Sequence, residues 1–175
     1  MITQKTQYAL RAIFELAWRY GEGPVKISDI SEKQAIPIRF LEVILNQLKG
    51  GGFVESKRGF EGGYYLIRPP DQVAVMDVIR RMREPVGPVH CVSISSSRGC
   101  PLDGDCAFLP LWTEIRDTVS NAFSSTTFAD LVRARRTAAS KRRREIAPPA
   151  GGAGRAVHNE GGRKAENPPS AVSRK

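Results

Sequence analysis

Tyr8, Ala9, Ala12, Ile13, Leu16, Ala17 and Tyr20 follow the spacing that gathers apolar side chains on one face of an α-helix, and GEGP at 21–24 ends the pattern. A shorter helix is predicted over SDISEKQA, with Ser28 as its N-cap and Ile30 turned inward. Phe40, Leu41, Ile44, Leu45 and Leu48 then repeat the helical spacing. Pro37 is tolerated at the start of that helix, and Gly50 to Gly52 supply its stop. Two helices joined by a tight break at Ile36 and Pro37 form a helix-turn-helix pattern. The pattern switches next to strand character in FVES and YYLIR, which flank KRGFEGG. Gly62 and Gly63 permit the backbone angles of a hairpin there, so a wing is predicted.

VAVMDVIRRM reads as a further helix with Val75, Val78 and Ile79 inward. From Phe108 to about Arg135, Leu111, Ile115, Thr118, Val119, Ala122 and Phe123 make one apolar stripe, and Thr127 caps a last short helix. Little domain remains to bury that stripe, so a partner helix from a second copy is expected against it. The fold class is therefore mostly α with a small β-hairpin wing: a winged helix-turn-helix over 1–85, a cysteine loop over 86–107, a dimerisation helix and final short helix over 108–137, and a disordered basic tail over 138–175.

Charge refines this picture. The chain of 175 residues carries a formal net charge of +9, but residues 1–130 hold 15 Lys and Arg against 15 Asp and Glu. The excess lies in residues 131–175, with 12 basic side chains against 3 acidic ones, so the basic balance describes a tail and not the folded part. From about residue 140 the Gly- and Pro-rich composition is too poor in large apolar residues to offset the entropy of ordering. The run RARRTAASKRRR offers phosphate contacts, although such runs are usually solvated. Lys5, Arg11, Glu15 and Arg19 leave no uninterrupted apolar stretch for a signal peptide or membrane span near the N-terminus, and a cytoplasmic location is expected.

Three cysteines, Cys91, Cys100 and Cys106, are separated by eight and then five residues in a turn-rich loop. An odd number of clustered thiols without an export signal argues for metal binding or thiol chemistry over a disulfide framework. Thiolates suit zinc or iron-sulfur clusters, and Gly99, Pro101, Gly104 and the stretch SISSSRG can bend the loop around one centre.

Taken together, YALRAIFELA, IPIRFLEVILNQLKGGGFVESKRGFEGGYYLIRPP, the cysteine loop, and LW followed by STTFADLV resemble the winged-helix transcription regulators of the IscR, NsrR and RirA type, over residues 1 to about 135. The resemblance implies a homodimer that binds a roughly palindromic double-stranded operator as a repressor, has neither a membrane nor a small-molecule substrate as a partner, and has no enzymatic activity. It implies one recognition helix per major groove and a wing in the adjacent minor groove. Arg39 and Glu42, three apart at the start of that helix, can bond guanine and a cytosine amino group, and Phe40 can touch a thymine methyl or join the core. Arg58 and Gly59 fall at the wing tip, where a guanidinium suits a narrow minor groove, and Lys49 and Lys57 suit phosphates.

The resemblance also implies that Cys91, Cys100 and Cys106 hold an iron-sulfur cluster, 2Fe-2S or 4Fe-4S. Here the first interval is longer than the five residues usual in such proteins, and Leu109 and Gln7 stand where a His or an Asp would supply the fourth ligand. Gln7, Asp103, Asp105, Glu114, a water or a small thiol stay open for that role. An incomplete shell suits a sensor of nitric oxide, redox state or iron supply. Two other readings of the thiols also stay open: a metal-free redox switch, and a structural zinc site, disfavoured because no fourth Cys or well-placed His completes a tetrahedron. An enzyme is disfavoured further, since no Gly-rich phosphate loop is present and His90 beside Cys91 lacks a third partner.

Overall fold

The computed structural model describes residues 2–94, 100–102 and 105–146. The first helix, α1 (Gln4–Trp18), starts at Thr3, whose Oγ1 accepts from the Thr6 backbone N–H at 3.4 Å. Its inward face buries Ala9, Ala12, Ile13, Leu16 and Ala17, as the spacing predicts, while Tyr20 lies past the helix end and is exposed. Two polar side chains share that buried face. Glu15 accepts from Arg19 Nε at 2.9 Å and from Gln34 Nε2 at 2.7 Å, which ties α1 to α2 (Ile27–Gln34).

α2 begins one residue before the expected cap: its N-cap is Lys26, and Ser28 sits inside the first turn, bonded to Asp29. Ala35 closes α2 in the left-handed region at φ 48°, and the Ser31 hydroxyl donates to the Ile36 carbonyl at 2.6 Å across the turn. Pro37 then opens α3 (Ile38–Lys49), which buries Leu41, Ile44, Leu45 and Leu48. Phe40 is on the outside of α3 and not in this row. After α3, Gly50 and Gly51 lie directly against the Arg81 side chain, so any Cβ there would meet it at 2.9 or 2.6 Å.

The strands β1 (Val54–Lys57) and β2 (Gly63–Leu66) pair antiparallel, with Val54 opposite Leu66 and Lys57 opposite Gly63. Val25 adds a short third rung by exchanging two 2.8 Å backbone hydrogen bonds with Tyr64. The glycines act differently from expectation. The left-handed backbone at the tip belongs to Gly59, at φ 111°. Gly62 and Gly63 are needed for close approach: a Cβ on Gly62 would meet the Lys57 carbonyl at 2.5 Å, and one on Gly63 would strike that of Val25.

A 3-10 turn (Pro70–Gln72) leads to α4 (Val75–Arg81), whose Val75, Met76, Val78 and Ile79 are buried. A second 3-10 turn spans His90–Val92, and α5 (Leu109–Ser125) packs against it and against α4. The last helix, α6 (Phe128–Ile146), has 19 residues and is not short, so helix runs past the tail boundary placed at 138. Thr127 and Asp130 cap it reciprocally, the Asp130 N–H donating to Thr127 Oγ1 and the Thr127 N–H to Asp130 Oδ2. Part of the basic run is built into this helix: the guanidinium groups of Arg135 and Arg136 lie 5.0 and 5.2 Å from the Trp18 ring. Residues 147–175 of the expected tail lie outside the described residues.

Phe128 is fully buried in the core made by α1, α3 and α4. Backbone bonds from Val75 to Thr126 and from Phe128 to Val73, at 3.0 and 3.1 Å, stitch the start of α6 to the start of α4. The winged head therefore includes residues well beyond 85. Among the described residues no helix is long and apolar enough to cross a membrane.

Candidate nucleic-acid interface and thiol site

α3 turns its leucine and isoleucine row inward and leaves Arg39, Phe40 and Glu42 exposed, as a helix that reads a groove requires. Val43 and Asn46 are exposed on the same helix and went unread in the sequence, because a lone valine in an apolar-rich helix looks like core. Lys49 is differently placed. Its Nζ reaches Glu55 at 2.5 Å and Ser56 Oγ at 2.8 Å, clamping the end of α3 to β1. The hydrogen bond from Lys49, then that from the Ser56 backbone, holds the Glu55 carboxyl below its usual range.

Lys57, Arg58 and Gly59 are exposed on the hairpin and its tip, next to Phe60, which is 93% exposed. Lys26 Nζ stands 5.2 Å from the Phe60 ring, adding a cation beside the wing tip. The Val25–Tyr64 bridge, a non-local pairing with no sequence signal, sets Lys26 beside the hairpin. The head thus presents a solvent-facing helix and a hairpin whose tip carries Lys57 and Arg58 with Lys26 close by, an arrangement able to hold phosphates and meet base edges.

The three thiols are half-buried and form no disulfide. Cys91 lies on the His90–Val92 turn, and the Cys106 carbonyl accepts the Leu109 N–H at 3.0 Å at the start of α5. Arg116 of α5 reaches back to the same turn, its Nη1 donating to the Val92 carbonyl at 3.5 Å, while its Nε bonds Asp117 at 2.8 Å. That hydrogen bond raises the Arg116 pKa and lowers that of Asp117. As a donor set the three thiols fit a thiophilic metal or cluster. Among the described residues, however, no group of three His, Cys, Asp or Glu is assembled closely enough to hold a metal ion. Of the candidates for a fourth ligand, Gln7, Asp105 and Glu114 are exposed and Asp103, with Gly99 and Gly104, lies outside the described residues.

Beside this loop, Phe108 before α5 and Leu109, Leu111, Ile115 and Val119 within it are all exposed. Ile115, Val119 and Phe123 border a cavity of about 220 Å³ closed on its other side by Ile2, Pro85 and Val86.

The fold and its outward helix define a winged helix-turn-helix DNA-binding protein. The family model Rrf2, described as an iron-dependent transcriptional regulator, matches residues 2–134, and the chain belongs to that family. It is 35% identical over 131 residues to the transcriptional regulator IscR of Erwinia tasmaniensis, covering 75% of this chain and 78% of the relative. It is equally 35% identical over 130 residues to the transcriptional regulator CymR of Bacillus subtilis, covering 74% and 88%. Among solved structures it is similar to CymR, the global cysteine regulator of B. subtilis, with a TM-score of 0.66 and 34% identity over 75% of this chain and 95% of that one. The IscR of T. potens follows with a TM-score of 0.62 and 28% identity over 77% and 88%. These relatives are named as regulators of transcription, not as enzymes.

Proposed function

We propose that the chain is a cytoplasmic homodimeric repressor whose grip on a palindromic operator is set by the state of Cys91, Cys100 and Cys106. The observation that carries this reading is the junction at α5: the thiol-bearing turn touches the helix whose apolar stripe is exposed. Two such stripes laid together would bury Leu111, Ile115 and Val119 of each copy. Arg39, Phe40 and Glu42 would face the major groove, and Lys57, Arg58 and Gly59 the backbone and minor groove. Lys49 serves at the base of the wing as a brace.

An iron-sulfur cluster bound by the three cysteines would supply a centre that nitric oxide, oxygen or iron shortage can dismantle. Cys91 would then fix the His90–Val92 turn and Cys106 the start of α5, and Arg116 would carry the position of the turn into the helix. Reversing a 1:99 preference between two dimer geometries needs about 5.5 kcal/mol, an amount within reach of metal-thiolate ligation.

A second reading keeps the DNA interface and makes the thiols a metal-free redox switch. It draws support from the half-exposed, unpaired cysteines and from the likeness to CymR, whose Staphylococcus aureus relative is known in an oxidized form. Anaerobic reconstitution followed by visible spectroscopy, iron analysis, native mass spectrometry and operator binding separates the two. Colour, iron and a loss of binding on exposure to nitric oxide or oxygen support the cluster. A colourless, iron-free protein that still responds to a mild thiol oxidant supports the switch.

A further inference from the structure

With about 100° between successive residues, α3 can be laid out around its axis. Leu41, Ile44, Leu45 and Leu48 mark the inward side. The line opposite them is occupied in turn by Arg39, Val43 and Asn46, with Glu42 on one flank and Phe40 on the other. Phe40 and Val43 are similarly exposed, at 60% and 59%, yet their settings differ. Phe40 leans toward α1, its ring centroid 6.4 Å from that of Tyr8, and Arg11 covers the Tyr8 ring in turn at 5.8 Å. Val43 stands at the centre of the outward line between a guanidinium and a carboxamide. A β-branched side chain at that place adds nothing to helix propensity and gains nothing from water. Its position suits contact with an apolar group set among polar ones.

The floor of the major groove carries one such group, the C5-methyl of thymine. We infer that Val43 is a specificity-determining residue that reads a thymine C5-methyl, a step deeper into the proposed reading of α3 as the recognition helix, on which it rests. Val43 has no hydrogen-bonding atom, so it leaves a cytosine amino group at that position without a partner and packs only against the methyl. Asn46, one turn further along the same line, can pair bidentately with an adenine in the neighbouring step. Together they add an A·T-reading half to a helix whose Arg39 and Glu42 suit G·C.

The full-length chain is used to select duplexes from a random-sequence pool, with and without reconstituted cofactor, and each thymine of the selected site is replaced in turn by deoxyuridine, which lacks only the methyl. Removal of one particular methyl should weaken wild-type binding about fourfold, the worth of one buried methyl-sized group. Val43→Ala, a favourable helix residue whose fold circular dichroism checks, should bind the thymine and deoxyuridine duplexes equally. Equal deoxyuridine penalties in wild type and V43A, or an unchanged selected sequence for V43A, would overturn the assignment and leave α3 as a reader by other residues. Enrichment of no duplex in either state would overturn the DNA reading of α3 itself.

Discussion

The Thr6 hydroxyl donates to Glu84 Oε2 at 2.5 Å, joining the start of α1 to the end of the α4 region across 78 residues of sequence. Thr3 adds two more bonds to the same carboxylate, from its Oγ1 at 2.6 Å and its backbone N–H at 3.1 Å. Burial by itself pushes the Glu84 carboxyl up, but the Thr3 and Thr6 hydrogen bonds outweigh it and hold the group below its ordinary value of 4.5. A depressed native pKa gives stability that is complete above 4.5 and is lost as pH falls through the lower native value. Thermal unfolding followed between neutral pH and the acid range should show that loss, and Glu84→Gln should flatten it while costing about 1–3 kcal/mol at neutral pH.

Gly63→Ala should displace the wing, because the new Cβ would strike the Val25 carbonyl. A loss of about 1–3 kcal/mol of stability is expected from such overpacking. Operator affinity measured by fluorescence anisotropy should fall with it, whereas Gly21→Ala, where nothing lies within 4 Å, should spare the wing despite its strained φ of 89°.

Lys57→Ala should lower affinity for operator and random DNA alike and reduce the salt dependence by about one phosphate contact. Under the proposed docking of α3, Glu42→Ala should instead change base preference and keep most of the non-specific affinity, because an acid set against a polyanion adds selectivity in place of attraction. Competitive binding to operator variants over a salt series tells the two outcomes apart.

Ile115→Glu should convert a dimer to monomers in sedimentation equilibrium, because it places a charge at the middle of the exposed α5 stripe. A wild-type chain that sediments as a monomer at micromolar concentration would remove the basis for dimerisation through α5.

Replacing Cys91, Cys100 and Cys106 by Ser should leave the circular dichroism and melting temperature close to those of the metal-free wild type, as the thiols are half-buried and cross-link nothing. The response of operator binding to its signal should vanish. A variant that still responds would place the sensor elsewhere.

The helices, hairpin and turn were legible because each carries a local signature: the 3.6-residue apolar spacing of α1 and α3, the Ile36–Pro37 break, the Thr127 cap. Exposure on α3 was half legible. Arg39 and Glu42 announce themselves by charge, but Phe40 and Val43 look like core residues until the helix is oriented by its neighbours. The surroundings of Lys49 and Lys26 were not legible for a similar reason: the ion pair of the first with Glu55 and the approach of the second to Phe60 depend on which strands meet. Helix continues past residue 138 with no apolar row to mark it, and within the expected last helix the approach of the Arg135 and Arg136 guanidinium groups to Trp18 has no local signature. The spacing of three sulfurs specifies a donor chemistry and not a geometry.

The burial of Phe128 beneath α1 and α4 means that α5 is an excursion from the head which leaves after α4 and comes home at Thr126. Its C-terminal end is stitched into the body that bears α3, whereas Phe108, Leu109 and Leu111 at its other end stand in solvent, so a fragment cut before α5 would lose the keystone of the head itself.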